Sequence, residues 1–285
     1  MQRERIADDV FVFVSDLYAQ VTATVVVTED GVVLFDTLLY PEETLAIKRF
    51  VETRVKSRVR YVINSHFHAD HTTGTCFFED ALVVSHALCR ELLDGRGREG
   101  LERVKASSSE LRAAELVLPQ LALDEGGLTL NVGGKSFQMW STPGHSPDSI
   151  VCLVKEDRVL LAADTLMPIP YFVDGSYDDF VDSLNSLRGG NFENVVQGHG
   201  DVILRGEIED RIQEDLRYLQ VLRAKVDEAL AEDHPERALE AIDIEDCGKS
   251  RILLNGGVDQ LHRGNVLALA SQRREAGSLL TVRPS

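Results

Sequence analysis

His66-Phe67-His68-Ala69-Asp70-His71 places four side chains able to ligate a metal within six residues. The motif directly follows Arg58-Val59-Arg60-Tyr61-Val62-Ile63-Asn64, whose β-branched and aromatic residues predict a strand. Along an extended segment alternate side chains share a side, so His66 and His68 project together. A turn after them swings Asp70 and His71 toward a second point nearby. Three further candidates stand at the ends of other predicted strands: His145 in Ser141-Thr142-Pro143-Gly144-His145-Ser146, Asp164 in Ala162-Ala163-Asp164-Thr165, and His199 between Gly198 and Gly200. Loops at strand ends are where a rigid scaffold presents working side chains. Five of the eight histidines are used in this way, which chance does not readily supply.

Upstream of the motif, Val10–Val14, Val21–Thr28 and Val32–Asp36 read as strands, with Glu29-Asp30-Gly31 as a hairpin turn. Pro41 opens a helix to about Val55, with acidic residues in its first turn. Downstream, a short strand at Val83–Ser85 and a helix over His86–Leu93 lead into Gly95–Gly100, which reads as a mobile connection. Strands follow at Leu128–Val132, Lys135–Thr142, Ile150–Val154 and Arg158–Ala162, with Gly133-Gly134 turning between the first two. A helix over Asp178–Leu187 and a strand at Val195–Gln197 complete this part. From about Glu207 the pattern becomes helical through about Glu232, and again from Val258 to Arg274. The expected organisation is a catalytic domain over residues 1–205 and a helical C-terminal extension over residues 206–285, packed on it.

Imidazole and carboxylate ligands suit zinc, iron or manganese, and the lack of thiolate candidates argues against a structural cysteine-rich site. A carboxylate among histidines can bridge two metals. Two metals about 3.5–4 Å apart can share a hydroxide, lower its pKa and polarise a carbonyl or phosphoryl oxygen. No serine or cysteine nucleophile is then needed, and the chain has no G-x-S-x-G elbow. Each residue alone has a plainer reading, His66 or His199 as a loop histidine and Asp164 as a cap. It is the agreement of seven positions that outweighs those readings.

The composition is that of a globular protein: 285 residues, 44% hydrophobic, 27% charged. A formal net charge of −17 disfavours nucleic acid as a partner, because such affinity rests on Lys and Arg neutralising phosphates. No segment approaches the roughly 18 apolar residues of a membrane span, and the N-terminus has no apolar core of a signal peptide. Cys76, Cys89, Cys152 and Cys247 are scattered without a C-x-x-C pair, as free thiols of a cytoplasmic protein would be.

The string His-x-His-x-Asp-His, then T-P-G-H-S, then an Asp after an apolar strand, then G-H-G, resembles the metallo-β-lactamase superfamily over roughly residues 10 to 205. The resemblance implies an α+β fold, a four-layer αβ/βα sandwich of two mixed sheets with helices outside, here with a helical C-terminal extension. It implies that His66, His68 and His145 hold one metal, that Asp70, His71 and His199 hold the other, and that Asp164 bridges them. Two divalent ions are expected, Zn2+ ahead of Fe or Mn. Asp70 would be the catalytic residue, orienting the attacking hydroxide and passing its proton on. True zinc β-lactamases generally lack a bridging Asp, so Asp164 points to the glyoxalase-II-like and lactonase-like branch.

The expected function is thus a di-metal hydrolase using a metal-bridging hydroxide on an ester, thioester, lactone or amide bond of a small molecule. One alternative is a mononuclear Fe(II) dioxygenase of the same fold, similar to persulfide dioxygenases, on His66, His145 and Asp164. A second is a non-catalytic binding member. Met167-Pro168-Ile169-Pro170-Tyr171-Phe172 is a candidate pocket wall with the Tyr171 hydroxyl as a substrate contact. His262 in the tail is a second candidate substrate contact, able to lean over the metals, although a surface or interface position is its plainer reading. Ser146, Asp148 and Asp36 are candidates to support the ligand histidines from behind. His86 and His234 are not expected as ligands, and the amphipathic tail is compatible with a homodimer.

Overall fold

In the computed structural model, which describes residues 1–124 and 126–281 and side chains through residue 276, the period-two alternation of apolar residues decides the layering. The first sheet runs in chain order through β1 (Gln2–Ala7), β2 (Val10–Val14), β3 (Thr22–Thr28), β4 (Gly31–Phe35), β5 (Val59–Ile63), β6 (Leu82–His86) and β7 (Leu121–Leu123). Neighbours from β1 to β4 are antiparallel and those from β4 to β7 parallel. The second sheet contains β8 (Gly127–Val132), β9 (Lys135–Ser141), β10 (Ile150–Val154), β11 (Val159–Ala163), β12 (Asn194–Gln197) and β13 (Ile203–Leu204), in spatial order β13-β12-β11-β10-β9-β8. Only its β11–β12 pair is parallel.

The two sheets face each other. Val33 and Phe35 of β4 meet Ile150, Cys152 and Val154 of β10 in the central core. The intervening residues point outward: Val32 and Leu34 toward one helical layer, Val151 and Leu160 toward the other. Against the first sheet lies α1 (Pro41–Phe50), which continues as a wide turn over Val51–Val55 and buries Ile47 and Val51. Pro41 at its start, Glu42 and Glu43 in its first turn and Lys48 and Arg49 in its last match the requirements of helix ends. The short helices α2 (Ala69–Thr72), α3 (Ala87–Leu92) and α4 (Arg98–Ser107) lie in the connections after β5 and β6. Against the second sheet lie α5 (Tyr177–Leu187), α6 (Ile208–Leu230), α7 (Pro235–Glu240) and α8 (Val258–Thr281). The molecule is therefore an α+β four-layer sandwich. Tyr218, Leu219, Leu222 and Val226 of α6 and Leu269 of α8 share one apolar cluster with Val151, Leu160 and Phe172, so the C-terminal helices form the sandwich's outer layer.

Among the segments that differ from the sequence expectation, two have a plain physical reason. Gly95–Gly100 is not a mobile connection, because α3 runs through a helical segment Leu93–Gly97 into α4. Its arginines hold it: Arg98 pairs with Asp94 one turn back, and Arg96 pairs with Asp174. Gln2–Ala7 forms a strand pairing with β2 from Gln2↔Val14 onward. It is an exposed edge strand whose charged residues carry no apolar alternation. Among the described residues no helix is long and apolar enough to cross a membrane, and the four cysteines are unpaired.

Candidate metal centre

Four strand ends deliver the candidate ligands to one place. After β5 the chain passes Asn64 and Ser65 and presents His66, then His68 at the start of α2, whose single turn carries Asp70 and His71. His145 follows β9 and Gly144, Asp164 directly follows β11, and His199 follows β12. Gly144 has φ +140, and a Cβ there would meet Phe180 Cα at 2.3 Å, so only glycine lets this turn pass α5.

The seven side chains converge as two groups: His66, His68 and His145 with Asp164, and Asp70 with His71 and His199. In the first, His68 Nδ1 lies 3.0 Å from His66 Nε2 and 2.9 Å from His145 Nε2. In the second, Asp70 Oδ2 lies 3.7 Å from His71 Nε2 and 3.5 Å from His199 Nε2. Asp164 stands between them, with Oδ2 3.2 Å from His145 Nε2 and 3.5 Å from His199 Nε2, and Oδ1 3.2 Å from His71 Nε2. Ligands about 2.0–2.1 Å from a tetrahedral ion stand about 3.3 Å apart, so these spacings fit one cation per group.

Each histidine's other ring nitrogen meets an oxygen. His71 Nδ1–H donates to Asp36 Oδ2 at 2.8 Å, His145 Nδ1–H to the Tyr171 carbonyl at 2.6 Å, and His199 Nδ1–H to the Ala19 carbonyl at 2.8 Å. His68 Nε2–H donates to Asp174 Oδ2 at 3.0 Å. His66 Nδ1–H donates to Ser65 Oγ at 2.9 Å, and that hydroxyl donates to Asp36 Oδ2 at 2.8 Å. These bonds hold the outer nitrogen of every ring and turn the other inward. Asp36 thereby supports both groups. Its φ of 58° is a left-handed conformation that Asp tolerates better than most residues.

Charge distinguishes the two groups. Burial, and then neighbouring histidines, push the His66 pKa well below the ordinary range. Burial also brings His145 down to about 4, against the opposing pull of Asp164. Both rings are therefore neutral and able to ligate. Burial likewise opposes charge on His71, but Asp164, Asp70 and Asp36 outweigh it and raise its pKa well above the usual value. Burial disfavours the charged form of Asp164 too, yet His71, His199 and His145 hold its carboxyl well below the usual range. Among the described residues, His71 Nε2 and Asp164 Oδ1 are buried with no hydrogen-bond partner of good geometry, facing each other at 3.2 Å. Such orphaned atoms cost about 1–3 kcal/mol each unless something meets them, and a divalent cation would meet both.

The remaining candidates fall differently. The Tyr171 ring lies 6.0 Å from that of His145, beside the first group. His262 does not lean over the metals. It is buried, its Nδ1 accepting from the Tyr218 hydroxyl at 2.9 Å and its Nε2–H donating to the Ile242 carbonyl at 3.2 Å, which leaves no ring nitrogen for a substrate. Ser146 pairs with Ser149, and Asp148 is buried, burial raising its pKa. Neither bonds a ligand histidine. His86 caps α3 and His234 stands at the start of α7. Sequence reading missed Asp174 and its partner Arg96, which no local motif marks. It also missed the Ala19 and Tyr171 carbonyls, since a backbone acceptor leaves no residue signature.

The chain belongs to the metallo-beta-lactamase superfamily, whose model matches residues 18–199, spanning all seven residues of the centre. Curated relatives include the beta-lactamase-like protein 2 homolog of Caenorhabditis elegans, 22% identical over 187 residues, covering 64% of this chain and 58% of that one. Another is the acyl-coenzyme A thioesterase MBLAC2 of Bos taurus, 29% identical over 154 residues, covering 48% of this chain and 54% of that one. The chain spans about half the length of these curated relatives. Among solved structures, a metallo-beta-lactamase family protein from Thermus thermophilus aligns with TM-score 0.72 and 20% identity over 96% of this chain and 95% of that chain. A metallo-beta-lactamase from Pontibacter korlensis aligns with TM-score 0.61 and 19% identity over 77% and 98%. These structures share the fold.

Proposed function

We propose that the protein is a di-metal hydrolase acting on an ester, thioester, lactone or amide bond of a small molecule. Two divalent cations, zinc first among them, would be held by His66, His68 and His145 and by Asp70, His71 and His199, with Asp164 between. The observation that carries this reading is that all five rings turn one nitrogen inward and bond the other to an oxygen, around the orphaned Asp164 Oδ1 and His71 Nε2. When bound, such a pair of ions polarises a carbonyl oxygen and lowers the pKa of a water toward neutrality. The chain's residues do the rest. Neutral His66 and His145 and ionised Asp164 fix where the ions sit. Asp70, its side chain 17% exposed, reaches from the second group toward solvent and is the carboxylate placed to take up a proton and pass it on.

A cavity of about 450 Å³ lined by Leu17, Tyr40, Pro41, Glu42 and Glu110 is of small-molecule size. Tyr18, next to Leu17, has its pKa raised by burial and by Asp70, so this loop lies within electrostatic reach of the centre. The relationship to an acyl-coenzyme A thioesterase supports placing thioesters first among substrates. The test is elemental analysis of protein purified without chelators, coupled to thioester, lactone, ester and β-lactam turnover. We expect two zinc-class ions per chain, with both activity and metal content lost in Asp164→Ala. A metal-replete, fully active Asp164→Ala protein would overturn the reading, as would one iron per chain with oxygen uptake.

A further inference from the structure

The loop from Pro170 to Tyr177 supplies acceptors to two of the three histidines in the first group. The Tyr171 carbonyl takes the His145 Nδ1 proton and Asp174 takes that of His68 Nε2. Asp174 is braced in turn by Arg96, whose guanidinium stacks 4.9 Å over the Phe67 ring. Where this loop sits therefore decides where two ligand rings point.

α8 grips the loop at both ends. Asn265 Nδ2 donates to the Pro170 carbonyl at 2.6 Å, and its Oδ1 accepts from Phe172 N at 3.2 Å. Gln272 repeats the pattern: Nε2 donates to the Gly175 carbonyl at 3.2 Å and Oε1 accepts from Tyr177 N at 3.1 Å. Two turns of helix separate them, so the amides share one face of α8. Each satisfies one backbone donor and one backbone acceptor, as a neighbouring strand would. Gly264 lets the helix approach, since a Cβ there would lie 3.0 Å from Val173 Cγ2 and 3.2 Å from Tyr171 Cε2. Asn265 is itself fixed, because Nδ2 also donates to Tyr218 Oη at 3.1 Å and that hydroxyl donates to His262.

We propose that Asn265 and Gln272 are positioning residues for the metal centre: α8 holds the 170–177 loop in register so that His145 and His68 present their inward nitrogens at the right spacing. The inference rests on the metal-binding reading above. It gives the C-terminal helices a role in the chemistry that none of the ligand motifs contains.

The experiment measures three quantities on the full chain. They are Zn2+ affinity by competition with a chromophoric chelator, the visible spectrum of the Co2+-loaded protein, and hydrogen exchange of residues 170–177 in the metal-free protein. Gln272→Ala, at a half-buried position, tests the clamp without threatening the core, and Asn265→Ala is the stronger variant. Gln272→Glu keeps the acceptor for Tyr177 N and loses the donor to Gly175, so it should fall between. Val266→Ala removes buried apolar volume from the same helix without removing a loop hydrogen bond. We expect ~10-fold weaker Zn2+ binding for Gln272→Ala, the low end for groups behind metal ligands, and a larger loss for Asn265→Ala. A changed Co2+ spectrum and faster exchange in the loop should accompany it. Val266→Ala should lower the melting temperature and leave affinity and spectrum alone. Wild-type affinity and spectrum in both Gln272→Ala and Asn265→Ala would overturn the proposal, as would equal weakening in Val266→Ala. If the wild-type protein binds no metal, the metal reading fails. The clamp is then judged by exchange, and unchanged exchange in both variants rejects it.

Discussion

Gly198 gives Asp164 its room. A Cβ at this position would stand 1.8 Å from Asp164 Oδ1 and 2.8 Å from the Ala163 carbonyl carbon. The backbone has no retreat, since Gly198 N donates to the Ala163 carbonyl at 2.7 Å and to that of Leu166 at 3.0 Å. Gly198→Ala should therefore displace the carboxylate between the two ligand groups and weaken metal binding by about 10–100-fold, the scale seen when groups that orient ligands are removed. Metal content after dialysis against a mild chelator checks it, and wild-type retention would show that Asp164 tolerates the shift. At this scale the sequence was most legible where residue type itself carries the chemistry. Histidine and aspartate after strands could be read directly, and Asp36 could be suspected from its place after Phe35. Asp174 could not, because its role depends on a contact with His68 across 106 positions of chain. His262 misled for a related reason: only tertiary packing reveals that Tyr218 and Ile242 already occupy both ring nitrogens.

In α8 the polar node of His262, Tyr218 and Asn265 is buried within an apolar layer, and it requires the neutral imidazole, whose Nδ1 must accept. Burial lowers the His262 pKa, against the opposing pull of the Ile242 carbonyl, Asp243 and Asp259. For a base whose folded pKa lies below its unfolded one, the unfolded chain binds more protons. Stability from this group is thus complete above the ordinary histidine value of about 6.5 and is lost as pH falls below it. Urea midpoints should decline from neutral pH toward pH ~5.5, and His262→Gln, which can keep one donor and one acceptor, should flatten that decline. An identical slope in the variant would remove His262 as the cause. At the level of elements, β4, β10 and β11 were legible because apolar, largely β-branched residues mark both of their buried faces, and β2 and β5 because β-branched and aromatic residues dominate them. β1 was not, because an edge strand such as Gln2–Ala7 buries too little to impose a pattern. The helix through Gly95–Gly100 was hidden because glycines signal a break, and only the folded partners of Arg96 and Arg98 show what holds it.

At the scale of the molecule the centre belongs to neither sheet. The first contributes His66, His68, Asp70 and His71 beyond β5, and the second contributes His145, Asp164 and His199 beyond β9, β11 and β12. The sequence announced both halves, but the outer layer's link to them, through Asn265 and Gln272, lies outside any motif. The distribution of ligands from residue 66 to residue 199 also bears on time. A site assembled from such distant segments exists only after both sheets have formed and packed, so it belongs to the late, native side of the folding barrier. Ligands that bind only there deepen the native well and leave the ascent from the unfolded side unaltered. Zinc should accordingly lengthen the lifetime of the folded protein against denaturant while refolding proceeds at one rate with or without it. Stopped-flow measurements in both directions, with and without chelator, would read this, and a metal-accelerated refolding phase would place the centre's assembly early instead.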